Sequence, residues 1–386
     1  MELDYYFHPV SLTKPDNYIV SKASFGKNIF IHTQNNAIKS LDYQMAIIGV
    51  PEDRNALASG SAKAPDAIRA QLYQLSRISP SLKIADFGNL KNGNTIEDSY
   101  YALRDVIYEL LSHDIIPVII GGSQDLTLAS SLALKKMNKK FNLVTLDSRL
   151  DIGKSKEELN ANTYLNRIIF EKSMFHYANL GAQSYFASEG DVTLMKKLYF
   201  DVLRLGIIRN NIKFAEPYLR DANILSIDIS CVKQSDAPAT AFPSPNGFYS
   251  EEICQLARYA GLSNEKTVFG IYEVHPDRDH HYQTTQLSAQ IIWFFIEGYF
   301  NRIAENPTED LDKLNKFIVN PSNHDHAMNF YKSEKSGRWW MEVPLLKEDK
   351  EKNVKIISCS FEDYKEACEN NIPDRWWRAF QKLNYD

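Results

Sequence analysis

The sequence predicts a three-layer α/β/α fold around a mostly parallel sheet of about eight strands. Short apolar runs alternate with segments of helical period between about residues 45 and 303. Runs that are apolar on both faces suit strands covered by helices on both sides, as in parallel sheets. Boundary residues support this alternation, since Pro51 and the Gly121-Gly122 pair end apolar runs and Pro65 stands in the first turn of a predicted helix.

Three regions follow from where this alternation begins and stops. Strands are predicted at residues 45–51, 82–88, 115–122, 141–147, 176–181, 223–229 and 267–274. Helices are predicted from Ala64 onward and at about 96–112, 125–137, 188–200, 249–261 and 284–303. We therefore expect an irregular N-terminal arm (1–44), an α/β domain (45–303) and a Trp-rich C-terminal extension (304–386).

Composition argues against several classes of protein. The 386 residues carry a net charge of −5 and are 44% hydrophobic, which suits one large domain with an extension and does not favour nucleic-acid binding. No apolar run reaches the ~18 residues of a membrane span, and the acidic start lacks the features of a signal peptide. The four cysteines form no C-x-x-C pair. We expect a cytoplasmic protein with reduced thiols and no membrane insertion.

Polar residues cluster at the predicted carboxyl ends of the strands, where parallel sheets bind ligands. These residues are Ser123, Gln124, Asp125, Asp147, Arg149, Asp151, Asp228 and Glu273. Buried carboxylates are costly unless they are paired or bind a cation. Asp147 and Asp151 have the i, i+4 spacing of ligands for a hard metal ion, but Arg149 between them already supplies a positive charge.

The motifs resemble, in the same order, those of the ureohydrolase superfamily of arginase, agmatinase and formimidoylglutamase, over roughly residues 45–303. The resemblance is closest to the formimidoylglutamase branch. It is carried by residues 48–51, 60–69, 121–125, 147–151, 226–230 and 234–247. The stretch from Gly60 to Arg69 is expected to shape the first βα unit rather than take part in chemistry.

The resemblance implies a site for two Mn²⁺ ions, held by two His and four Asp, at which a bridging water becomes the attacking hydroxide. Asp147, Asp151 and Asp228 match three of these aspartates. Gln124 and Arg149 stand where the family has its two histidines, and Ser230 stands where it has the fourth aspartate. Glu273 matches the family's substrate-contacting glutamate. Since an arginine within ~4 Å would repel two buried cations, we expect no dinuclear cluster.

Two interpretations of the remaining residues stay open. The favoured one has the guanidinium of Arg149 bridging the aspartates, with neither metal nor cofactor. In the other, Asp147, Asp151 and Asp228, with Gln124, hold one Mn²⁺ or Mg²⁺. The first leads to a pseudoenzyme that serves partner binding, assembly or ligand sensing. The second leads to a formimidoylglutamase-like hydrolase of a linear amidine C–N bond that uses a single metal.

Four tryptophans in the C-terminal extension are candidates for partner binding, because Trp is frequent at interface hot spots. They form two pairs, Trp339-Trp340 and Trp376-Trp377. Core packing of the extension against the main domain is the first interpretation of these residues and a partner surface the second. A nucleic-acid stacking platform is the third, and the acidic net charge argues against it. We expect a homo-oligomer, or a protein partner bound through this extension.

Asp125 and His275 are two further residues with predicted roles near the site. Asp125 is predicted to cap the helix that it begins. His275 is predicted to be a loop or surface histidine, with a proton-shuttle role as the minor alternative.

Overall fold

A ten-stranded sheet forms the centre of the protein in a computed structural model that describes residues 3–11, 21–153, 157–322, 327–346 and 354–385. Its strands are β1 Phe7–His8, β2 Phe30–Ile31, β3 Met45–Val50, β4 Ile84–Leu90, β5 Ile116–Gly121, β6 Phe141–Leu146, β7 Met174–Ala182, β8 Asp201–Arg204, β9 Ile224–Asp228 and β10 Val268–Tyr272.

Eight of these strands, β3 to β10, run parallel in the order β4-β3-β5-β10-β9-β6-β7-β8. All six residues of β3 and all six of β5 are buried, as expected for strands covered on both faces. The predicted parallel α/β sheet is therefore confirmed. The sequence analysis missed β8, because four residues of mixed polarity carry no clear period.

Helices cover both faces of this sheet. They are α1 Ala64–Leu72, α2 Ile96–Ser112, α3 Thr127–Lys136, α4 Glu189–Lys197, α5 Leu205–Asn210, α6 Glu216–Arg220, α7 Ser250–Gly261 and α8 Gln283–Phe300. Thr95 and Asp98 form a capping box that sets the start of α2. Helices α7 and α8 pack closely, since a Cβ on Gly261 would lie 2.1 Å from the carbonyl oxygen of Phe295. Within the described part of the chain, no helix is long and apolar enough to cross a membrane.

The N-terminal arm is more ordered than predicted, although residues 1–2 and 12–20 lie outside the described part. Strand β1 pairs antiparallel with β4, and β2 pairs parallel with the same strand. The arm thus adds two short strands to the edge of the sheet. Two-residue strands depend on a neighbouring edge for their hydrogen bonds, so they leave no periodic signal in the sequence.

The C-terminal extension folds as a separate four-stranded antiparallel sheet with two helices. Its elements are β11 Asn315–Val319, β12 Met328–Lys332, β13 Trp339–Pro344, β14 Val354–Cys359, α9 Phe361–Cys368 and α10 Asp374–Tyr385. Trp339, Trp340 and Trp376 are buried, and only Trp377, at 44% exposure, reaches the surface. Three of the four proposed partner-binding tryptophans therefore pack inside the chain. Their apolar rings stabilise the extension and its junction with the domain.

Ion pairs join the extension to the main domain. Arg375 Nη2 lies 2.8 Å from Asp221 Oδ2, and Arg378 Nη1 lies 3.0 Å from Asp201 Oδ1. The guanidinium of Arg220 on α6 lies over the ring of Trp340, 4.7 Å from its centroid. The extension is thus fixed against the amino-terminal edge of the sheet by charged groups that are shielded from water.

His176, near the start of β7, lies at this junction in surroundings that favour a neutral imidazole. Its Nε2 atom is 2.9 Å from Asp201 Oδ2, and the ammonium of Lys382 contacts its Nδ1 atom. An ammonium group only donates hydrogen bonds, so Nδ1 accepts and Nε2 carries the proton. Burial, together with the positive charge of Lys382, lowers the pKa of His176 to about 4.

We expect His176 to make the fold sensitive to mild acid. The folded-state pKa lies below the unfolded value of about 6.5, so the unfolded chain binds the extra proton and folding stability falls as pH falls. Between pH 7 and pH 5, protonation linked to His176 should lower the free energy of unfolding by about 2 kcal/mol. Urea unfolding of the unmodified chain and of His176→Gln at both pH values checks this. The glutamine amide can accept a hydrogen bond from Lys382 and donate one to Asp201, but it does not titrate. An equal loss of stability in the two proteins would contradict the assignment.

Candidate functional site

Four adjacent strands at the centre of the sheet bring the predicted site residues together. The sheet order places β5, β10, β9 and β6 side by side. Gln124 follows β5, Glu273 follows β10, Asp228 ends β9, and Asp147 follows β6. All four residues are buried, as is Asp151. The prediction that these side chains converge at the carboxyl edge is therefore confirmed.

Hydrogen bonds connect the loops after β5 and β10. The backbone N–H of Gln124 donates to Glu273 Oε1 at 2.9 Å, and the backbone N–H of Glu273 donates to the carbonyl of Gly122, also at 2.9 Å. Gly121 is required beside β10, because a Cβ there would lie 2.3 Å from the ring of Tyr272. Gly122 is required beside the loop after β3, because a Cβ there would lie 1.9 Å from the carbonyl oxygen of Glu52. The Gly-Gly pair thus allows neighbouring segments to approach closely at the position that carries Gln124.

Backbone groups cap two of the aspartates. Asp147 Oδ1 accepts from the N–H of Arg149 at 2.8 Å, and Asp228 Oδ1 accepts from the N–H of Ser230 at 2.7 Å. Each bond runs from a residue two positions further along the chain, which is the geometry of an Asx turn. Both loops thus leave the sheet in a fixed direction.

The aspartates also interact with one another as buried acids. Burial raises the pKa of Asp147 and, together with the neighbouring carboxylates, raises the pKa of Asp151 well above its usual range. Burial raises the pKa of Asp228 well above its usual range too, with further contributions from Asp147 and Glu273. Burial and the proximity of the other acids thus act in the same direction at Asp151 and Asp228.

Arg149 does not bridge the aspartates, so the favoured interpretation of the sequence was wrong on this point. Its guanidinium lies over the ring of Phe186, with Cζ 3.9 Å from the ring centroid. Among the described residues no carboxylate lies within ion-pair distance of this guanidinium. A half-buried aromatic ring is a favourable partner for a guanidinium group. Arg149 contacts Asp147 through its backbone N–H and not through its side chain. The charge of Arg149 still acts on Asp147 from a distance. Burial raises the pKa of Asp147, and the positive charge of Arg149 partly opposes this rise.

Two site residues adopt a left-handed backbone conformation that residues with side chains rarely adopt. Asp151 has a φ of 47° and Glu273 a φ of 63°. Such conformations cost of order 1 kcal/mol or more each and tend to occur at functional sites. In this chain they turn both carboxyl-bearing residues toward the same edge of the sheet.

The donor set does not fit the two manganese ions that the resemblance implies. Gln124 and Ser230 offer neutral oxygens where an imidazole and a carboxylate are needed, and Arg149 offers no donor electrons at all. The described residues contain no group of three His, Cys, Asp or Glu side chains arranged to hold a metal ion. Of the six ligands that the resemblance implies, three carboxyl groups remain, those of Asp147, Asp151 and Asp228.

Two neighbouring residues differ from their predicted roles. Asp125 does not cap a helix: its carboxylate accepts from the hydroxyl of Tyr100, and burial raises its pKa to about 6. His275 lies in the loop after β10, as predicted, but it is buried there, with Nε2 3.9 Å from Glu273 Oε2. Sequence reasoning missed Tyr100, because it lies on the inner face of α2 and looks like an ordinary core residue.

Comparison with known proteins places these observations in a family. The model of the arginase family matches residues 43–297. The formimidoylglutamase of Bacillus subtilis (strain 168) is 24% identical over 275 residues, which are 66% of this chain and 86% of the relative. A guanidinobutyrase of Pseudomonas aeruginosa is 25% identical over 288 residues, 68% of this chain and 88% of the relative.

Solved structures share the fold. A formiminoglutamase of Trypanosoma cruzi with Mn²⁺ aligns with a TM-score of 0.64 at 20% identity, covering 69% of this chain and 96% of that one. The Bacillus subtilis formimidoylglutamase aligns with a TM-score of 0.65 at 19% identity, covering 76% and 96%. The family match spans the whole parallel sheet from β3 to β10 and every residue of the carboxyl-edge site, and it ends before the C-terminal extension. The chain belongs to the arginase family.

Proposed function

We propose that this arginase-family chain has lost the dinuclear manganese site and the catalysis that depends on it, and that it acts as a pseudoenzyme in partner binding, assembly or ligand sensing. One observation carries the proposal. Three of the positions that match metal ligands hold Gln124, Arg149 and Ser230. The three remaining aspartates are buried, and backbone N–H groups donate to Asp147 and Asp228.

The electrostatics of the site support this reading. Arg149, which stands where the family has a metal-binding histidine, is a cation that cannot donate electrons to a metal ion. Its guanidinium lies on Phe186.

The second candidate is a formimidoylglutamase-like hydrolase of a linear amidine that uses one divalent metal. The observation in its favour is that Asp147, Asp151, Asp228 and Glu273 remain together at one edge, with Gln124 beside them. The resemblance to formimidoylglutamases suggests the substrate class. This candidate requires Asp147, Asp151 and Asp228 to be deprotonated when a metal binds.

Metal analysis and assay of the full-length protein separate the two candidates. The chain is purified in excess Mn²⁺, desalted and analysed by mass spectrometry, then assayed with formimidoylglutamate, arginine and agmatine, with and without Mn²⁺. We expect neither bound manganese nor turnover above an Asp228→Ala control. Two tightly bound metals per chain would overturn the proposal, and one metal with turnover that Asp228→Ala abolishes would establish the second candidate.

The C-terminal extension is the part of the chain that we propose for a partner or a second copy of the chain. Trp377 is half exposed on α10, whereas Trp339, Trp340 and Trp376 are buried. Of the four tryptophans proposed for partner binding, only Trp377 is therefore exposed enough to contact a partner. The proposal of a homo-oligomer rests on the same extension.

A further inference from the structure

A large cavity lies on the opposite edge of the sheet from the carboxyl-edge site. It has a volume of about 920 Å³ and lies between the main domain and the C-terminal extension, partly open to solvent. Asn142 near the start of β6, His176 near the start of β7 and Asn223 just before β9 line one side. Trp340 of β13 and Lys355 of β14 line the other. This size is typical of pockets for small organic ligands.

The charge of this cavity is opposite to that of the whole chain. The net charge of the protein is −5, whereas the lining contains eight Lys and Arg residues against five Asp and Glu. Two of the acids are neutralised by arginines of the extension, since Arg375 pairs with Asp221 and Arg378 with Asp201. A confined excess of one sign attracts and concentrates ligands of the other sign.

Arg220 and Arg338 carry the clearest excess of positive charge, because they share one carboxylate. Their Nε atoms lie 3.0 Å and 3.7 Å from the same oxygen, Glu216 Oε1. Both side chains are more than nine-tenths buried, and the Nη1 atom of each has no hydrogen-bond partner among the described residues. A buried donor without a partner costs free energy that an acceptor would recover. Burial and the charge of Arg220 also lower the pKa of Arg338.

Two further cations of the lining are without a carboxylate partner in the described part of the chain. The guanidinium of Arg302 packs on the ring of Tyr299, 3.9 Å from its centroid, and donates to the Tyr299 hydroxyl at 3.3 Å. Lys355 is exposed on β14 and belongs to no ion pair there. The acids Glu265 and Glu305 are held by neutral groups: an amide of Asn223, and the hydroxyls of Ser333 and Ser336. The carboxylates of the cavity are thus engaged, while several cations are free to bind.

We propose that this cavity binds a small organic oxoanion, whose phosphate or carboxylate group is held by Arg220 and Arg338 with Arg302 and Lys355. Guanidinium groups form strong, directional hydrogen bonds with both kinds of group. The indole of Trp340 supplies an apolar wall beside the cations. The site depends on the C-terminal extension, which lies outside the residues matched by the arginase family model. It is therefore separate from the carboxyl-edge site and does not depend on metal binding there.

Titration calorimetry of the full chain with inorganic phosphate and with succinate, at constant ionic strength, tests the proposal. We expect at least one of the two anions to bind, and their relative affinities distinguish a phosphate from a carboxylate ligand. Arg338→Met keeps the aliphatic stem but removes the charge, and it should weaken binding about tenfold or more. The double variant Arg302→Gln/Lys355→Gln changes partly or fully exposed residues and should weaken binding without affecting the fold.

The control is Lys316→Gln, which removes an exposed lysine from β11 of the same small sheet but outside the cavity lining. The Lys316→Gln variant should bind the anion with the same affinity as the unmodified chain. Should Arg338→Met fail to fold, the double variant alone decides the question. The proposal is overturned if neither anion binds at millimolar concentration, or if the double variant binds as tightly as the control.

Discussion

We expect the triple variant Gln124→His/Arg149→His/Ser230→Asp to bind Mn²⁺ more than about a hundredfold more tightly than the unmodified chain. Loss of even one outer-shell partner typically changes metal affinity 10- to 100-fold, so three restored direct ligands should have a larger effect. The scaffold is in place, because the loops after β5, β6 and β9 already bring these positions to one edge. The new imidazoles and carboxylate would complete a donor set that suits Mn²⁺.

Equilibrium dialysis with Mn²⁺, followed by metal analysis, measures this gain. Adding Asp228→Ala to the triple variant should abolish it, because Asp228 sits among the buried acids of the site. The single variant Arg149→Met controls for the loss of a nearby positive charge, since it removes the guanidinium from Phe186 without adding a ligand. No gain in the triple variant would mean that the surrounding residues have also diverged from a metal-binding arrangement.

The second large effect is expected at Arg69 of α1, which is fully buried. Its Nε and Nη2 atoms lie 2.8 Å and 3.0 Å from the two carboxylate oxygens of Asp86 on β4, and Nη2 also donates to the carbonyl of Gly88 at 2.8 Å. Arg69→Met removes the cation and leaves the Asp86 carboxylate buried without it. Breaking such a pair typically costs about 3–5 kcal/mol, and we expect a loss of this size in the free energy of unfolding.

Urea unfolding of three variants checks this expectation. The double variant Arg69→Met/Asp86→Leu should regain much of the stability, because an apolar pair leaves no unpaired charge. Lys63→Met provides the matched control, since Lys63 pairs with Asp277 at 2.7 Å but both side chains are mostly exposed. An exposed pair of this kind contributes about 1 kcal/mol or less. Equal losses in Arg69→Met and Lys63→Met would contradict the structural role of the buried pair.

Much of the architecture could be read from the sequence, because burial on both faces leaves a strong pattern. The runs that became β3 and β5 are apolar at nearly every position. Thr95 and Asp98 mark the start of α2 as a capping box in the structure. The order of strands in the sheet, by contrast, depends on pairing between distant segments. Only the fold shows that β10 lies between β5 and β9.

The C-terminal extension shows the opposite case. Strands β11 and β14 at the two edges of its sheet are largely exposed or half-buried and carry polar residues, so their period is weak. The tryptophans looked equivalent in the sequence, yet Trp376 is buried and its neighbour Trp377 is half exposed. Adjacent residues on a helix point in directions about 100° apart, so one can be core and the next surface. That difference appears only when the helix is docked.

The sequence by itself determined which residues belong to the carboxyl-edge site, because this depends on which side chains are present and in what order. It could not determine how their charges are arranged. Arg149 lies on Phe186, and burial raises the pKa of both Asp147 and Asp151. These arrangements depend on side-chain directions and on burial, which long-range packing sets. The tertiary structure alone also brings Arg220 and Arg338 to one carboxylate across 118 residues of chain.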